Sequence, residues 1–91
     1  MRIQATVAAK WQLRTAVKAL QRQDTNLARR FVQELRGLLG APDRIAAEGR
    51  ALDDLPETPF TEIRRSGHRL FFREANETLW LAGTWSEQSQ L

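Results

Sequence analysis

Cysteine is absent from this chain, which excludes disulfide staples, thiolate zinc sites and thiol catalysis together. The one histidine, His68, is too few to build an imidazole metal site, so neither a metal nor another cofactor is expected. Long apolar runs are missing as well. Nothing approaches the roughly 18 residues that a membrane-spanning helix needs, and the first residues lack the charged, apolar and cleavage regions of a secretory signal. A cytoplasmic protein with no membrane contact is the expectation. What is present fits one small domain over residues 1–91, whose single core should be of modest stability because a short chain buries a limited share of its surface.

A net charge of +3 conceals a segregated distribution. Residues 1–39 carry eight basic groups against Asp24 and Glu34, a local +6, whereas residues 40–60 carry Arg44 and Arg50 against five acids, a local −3. The remainder balances four against four. Such a basic half suits nucleic acid or an acidic protein partner, although lysines and arginines also serve simply to solvate helices.

In chain order, Met1 to Ala5 is a candidate first strand. From about Val7 to Gln21 the apolar residues Ala9, Leu13, Ala16, Val17 and Leu20 fall at helical spacing, and Lys10, Arg14, Lys18 and Arg22 form a basic stripe beside them, a candidate nucleic-acid contact. Gln23 to Asn26 interrupts the period with cap-forming residues, Asp24 or Thr25 being suited to accept from free backbone amides. A second helix runs from about Asn26 to Leu39 on the stripe Leu27, Phe31, Leu35 and Leu38, and stops at Gly40 before Pro42. Residues 43–59 read as an acidic connector with room for a further turn or two of helix, anchored by Leu52 and Leu55 and limited by Pro56 and Pro59. Glu87 to Leu91 reads as a frayed tail.

Glu62 to Ser86 carries the strands. Phe60 to Arg64 is the first, Ser66-Gly67 has turn chemistry, and from His68 onward successive side chains must alternate between faces. His68, Leu70, Phe72 and Glu74 fall on one face, and Arg69, Phe71 and Arg73 on the other. Ala75-Asn76-Glu77 supplies the next turn, and Thr78 to Trp85 is long and apolar enough for a central strand. Trp80 is expected to face the helices with Thr78 and Ala82, leaving Trp85 with Leu79 and Leu81 on the outer face, where a partner helix or strand could dock. The expected class is α+β, a helical hairpin packed on a small antiparallel sheet, in the order βααβββ.

The segment IRRSGHRLFFREANETLWLAGTW resembles the sheet region of the RelE/ParE superfamily of bacterial toxins, in which an Arg-x-Ser-Gly hairpin precedes a hydrophobic last strand. DTNLARRFVQEL, from Asp24 to Leu35, is similar to the second helix of the ParE-like branch. The resemblance implies the toxin of a plasmid-stabilisation or related toxin–antitoxin pair, partnered by an acidic antitoxin in a hetero-oligomer, or forming a homo-oligomer. For a RelE-like member it implies ribosome-dependent mRNA cleavage without a metal. Arg69 and Arg73, with Arg64 or Arg65 across the turn, would then hold the phosphate, and Glu62 or Glu87 with His68 would supply acid and base. Two departures point elsewhere. The lysines of the RelE-like pattern before the hairpin are replaced by Thr61, Glu62 and Ile63, and no tyrosine occurs anywhere. A ParE-like member would instead inhibit DNA gyrase by binding alone, and a non-toxic relative would use the basic stripe as a binding module, with affinity that falls steeply with salt. The expectation leans to RNA cleavage.

Overall fold

The first strand gives way to helix at a single residue, Thr6. In the computed structural model, which describes residues 1–87, strand β1 spans Arg2–Ala5 and helix α1 spans Val7–Gln23. Thr6 Oγ1 accepts from the Ala9 amide at 3.0 Å, which caps the helix, and its own N–H donates to the Leu81 carbonyl at 3.0 Å. The start of α1 is thereby fastened to the sheet. Asp24 then does two jobs alone. Its N–H closes α1 on the Leu20 carbonyl at 2.8 Å, and its carboxylate caps helix α2, Thr25–Leu39, by accepting from Asn26 at 2.8 Å. One extended residue between two helices makes the hairpin tight.

The connector is more ordered than its composition suggests. Pro42 opens a seven-residue helix α3, Pro42–Glu48, at the position where a missing N–H costs nothing, and Ile45 from this helix is buried. A two-residue strand β2, Arg50–Ala51, follows and pairs antiparallel with β3, Thr61–Arg65. Strands β4, His68–Ala75, and β5, Thr78–Ser86, complete a meander. Both of its loops have two residues at positive φ: Ser66 and Gly67 at 51° and 75°, Asn76 and Glu77 at 52° and 61°. Such turns twist with the flanking strands and hold their register.

The sheet order is β1-β5-β4-β3-β2. The α+β expectation holds, but the sheet is mixed and five-stranded, because β1 lies parallel to β5, pairing Arg2–Ala5 with Thr78–Leu81. Parallel neighbours need a long crossover, which everything from α1 to β4 supplies. The tail expectation changes at its first residue: the Glu87 N–H donates to the Gly67 carbonyl at 2.8 Å, and residues 88–91 lie outside the described part. Among the described residues no helix is long and apolar enough to cross a membrane.

The core lies between the helical hairpin and one sheet face. Ala9, Ala16 and Leu20 of α1 and Ala28, Phe31 and Leu38 of α2 meet Ile63, Leu70, Phe72, Leu79 and Leu81. The expected assignment of the last strand's faces is reversed for Leu79, Trp80 and Leu81, while Trp85 keeps its expected outer place. Leu79 and Leu81 enter this core, so Trp80 between them points away from the helices, in register with Arg73. A bulge is the reason Trp85 joins it there. Phe71 pairs with Gly83 but Phe72 pairs with Leu81, so β5 carries one extra residue and its alternation shifts between the two tryptophans. Trp85 then packs edge-on to Phe71, ring centroids 5.1 Å apart.

Candidate functional site on the outer sheet face

The antiparallel register of β3 and β4 places Glu62 opposite Phe71 and Arg64 opposite Arg69, all facing away from the helices. Arg69 reaches diagonally to Glu62, Nε donating to Oε2 at 2.7 Å. Its other end meets Asp54 from the connector, Nη2 donating to Oδ1 at 2.9 Å and Nη1 to Oδ2 at 3.3 Å. The guanidinium also lies over the Phe71 ring, 4.9 Å from its centroid. Only 11% of the Arg69 side chain and 6% of Glu62 remain exposed, so this is a covered polar cluster rather than the wet side of a hairpin.

Arg64 extends the cluster. Its Nη2 donates to Glu62 Oε1 at 3.4 Å, and its Nε stands 4.0 Å from Glu87 Oε1. Two cations thus share Glu62. Bonds from Asp54 and then Glu62 hold the Arg69 pKa above its ordinary value, and the bond from Arg69 holds the Asp54 carboxyl below the usual aspartate range.

The remaining sequence candidates lie elsewhere. Arg73 shares the face but not the cluster; it sits 6.0 Å from the Phe60 ring centroid and has no carboxylate partner among the described residues. His68 is buried on the opposite face, its ring 5.1 Å from that of Phe31 and its Nδ1 3.1 Å from the Ser66 carbonyl. Arg65, its register partner, turns to the helix side, where it pairs with Glu48 and stands 3.9 Å from Glu34. The bond from Arg65, followed by that from Arg44, lowers the Glu48 pKa. The structure therefore brings Arg69, Glu62, Arg64 and Glu87 together and leaves Arg73, Arg65 and His68 apart.

Neither a family model nor a curated protein sequence matches the chain.

Asp54 is the member that sequence reasoning missed. Its carboxylate occupies the two-toothed edge of the guanidinium that a phosphate would take, so Arg69 can grip an anion only after the connector moves. Among the described residues no group of three or more His, Cys, Asp and Glu side chains is arranged to hold a metal ion. Lys10, Arg14, Lys18 and Arg22 present a different electrostatic picture. They are exposed along α1, a helix without a single Asp or Glu, and none makes an ion pair with a described residue.

Proposed function

We propose that this chain is the toxin of a bacterial toxin–antitoxin pair of the RelE/ParE type, and that it acts by binding rather than by cutting RNA. The toxin half of the reading rests on the hairpin and second-helix resemblance, which the strand, helical hairpin and strand-meander arrangement accommodates. The binding half rests on one observation: the guanidinium best placed to hold a phosphate, that of Arg69, is already closed by Glu62 and Asp54. Cleavage by an internal 2′-hydroxyl also needs a base and an acid on either side of that phosphate. His68 and Glu62 stand on opposite faces of the sheet and cannot act on one phosphate together. Inhibition by binding needs neither. Its partners are DNA gyrase as target and an acidic antitoxin drawn to the basic helical hairpin.

RNA cleavage on the ribosome is the second reading, favoured by Arg64, Arg69 and Arg73 sharing one face. Two assays on the purified chain separate them: DNA supercoiling by gyrase, and mapping of new mRNA ends in a bacterial translation reaction with and without ribosomes. Loss of supercoiling without new ends supports the binding reading. Ends that form only with ribosomes overturn it in favour of the second.

A further inference from the structure

A groove between α1 and the free end of β5 belongs to no part of the reading above. It encloses about 340 Å³ and is lined by Trp11, Gln12 and Thr15 from the helix and His68, Thr84 and Trp85 from the sheet. That is room for roughly ten waters, or for one planar base with its sugar. Two features of the groove are costly unless something occupies it. Trp11 and Trp85 are 65% and 41% exposed, although tryptophan is among the side chains that gain most from burial. Thr84, 3% exposed, has a hydroxyl with no hydrogen-bond partner among the described residues, and an unsatisfied buried polar group is uncommon.

The backbone explains why the groove stays open. Beyond Leu81 the outer edge of β5 has no strand beside it among the described residues, since β1 ends at Ala5. Gln12 covers that edge in part, its Oε1 accepting from the Thr84 N–H at 2.9 Å. Gly83 leaves space for the same side chain; a Cβ there would stand 2.9 Å from Gln12 Oε1. The Trp11 indole flanks this polar floor.

Charge determines what fits. Lys18 follows Trp11 by seven residues, which returns it to within about 20° of the same line on the helix, and Arg22 stands likewise above Thr15. Lys18 and Arg22, which form no ion pair with a described residue, therefore stand on the groove side of α1, whereas the same geometry turns Lys10 and Arg14 to its far flank. A ligand that matches has a repeating anionic backbone, planar apolar faces and hydrogen-bonding edges.

We infer that the groove between α1 and β5 binds single-stranded nucleic acid, with a base stacked on Trp11, its edge turned to Gln12 and Thr84, and phosphates on Lys18 and Arg22. Stacking takes any base, so the site is sequence-tolerant, and a duplex, whose bases are already stacked on one another, enters poorly. This site is separate from the Arg69 cluster and does not depend on the toxin reading.

The test is fluorescence anisotropy of labelled oligouridine and oligothymidine, roughly ten nucleotides long, against the whole chain at about 50 and 200 mM salt. Both strands should bind. Trp11→Ala, at an exposed position that leaves the core intact, should weaken binding by between roughly 5-fold and 100-fold, with Trp11→Phe recovering part of the loss. Thr84→Val should weaken it about 3-fold or more without lowering thermal stability. Replacing Lys18 and Arg22 by glutamine should cut the salt slope by about 1.4. Undiminished affinity in Trp11→Ala or Thr84→Val overturns the base slot. So does a duplex that binds as well as the single strands, or an acidic peptide of equal length that binds more tightly than either.

Discussion

Removing Arg69 should expose how much the outer-face cluster contributes to folding. In Arg69→Ala the Glu62 carboxylate, 6% exposed, loses its 2.7 Å donor and keeps only the longer contact from Arg64 at 3.4 Å. Breaking one side of a buried ion pair costs 3–5 kcal/mol when nothing replaces it; with Arg64 still present, about 3 kcal/mol is expected. For a chain of this size that lowers the urea midpoint by about 2 M. A second variant separates the stranded charge from lost packing on Phe71. Arg69→Met with Glu62→Leu removes both charges and should recover at least half of the loss, because apolar replacement of both partners is often neutral or better. Acid provides a further check. The Asp54 pKa is lowered in the folded state, so its bond with Arg69 stabilises above the unfolded aspartate value near 3.9 and is lost as pH falls through the lower folded value. Arg69→Ala lacks that contribution at every pH. The gap between wild type and variant must therefore narrow from pH 5 towards pH 2. A variant within about 0.5 kcal/mol of wild type at pH 7, or a gap that widens in acid, refutes the cluster as described.

Phe72, with no exposed surface, sits in the core between helices and sheet, and Phe72→Ala should cost about 3 to 5 kcal/mol in chemical denaturation, enough to leave much of the chain unfolded. Asp24→Ala should cost about 1 kcal/mol by removing the carboxylate that caps α2, whereas Asp24→Asn should stay near wild type. Glu48 is held below its ordinary pKa by Arg65 and Arg44, so its contribution is present above the unfolded glutamate value and disappears on acidification. Stability profiles between pH 5 and 3 should be flatter for Glu48→Gln than for wild type.

The helical hairpin and the two tight turns were legible because each is written locally. Apolar spacing reveals α1 and α2, Asp24 has the cap chemistry, and Ser66-Gly67 has the turn chemistry. The faces of β5 were not legible, for a physical reason. In LWLAGTW both alternating sets are apolar, so a period of two carries no polarity contrast, and the one mark of the bulge is Gly83 beside the extra residue Ala82. Helix α3 is too short for a period to show, although Pro42 followed by Asp43 suits a first turn. Asp54 was invisible as a site residue because its partner lies 15 positions further on, across a loop that no local pattern closes.

That contact changes what the arginines of the hairpin mean. Read as alternation alone, Arg69 and Arg73 are equivalent members of one wet face. In the fold, β4 is covered on both sides: Leu70 and Phe72 lie under the helices, and Phe71 is buried on the outer side, where Trp85 packs against it. Asp54 on the connector closes over Arg69. An arginine so placed is neutralised before any partner arrives, whereas the cations of α1 face solvent and form no ion pair with a described residue. Long-range attraction depends on uncompensated charge, so an anionic partner approaching this protein meets the helices first. Selection of that partner then falls to what surrounds those cations, and along α1 that is the indole of Trp11 and the groove behind it.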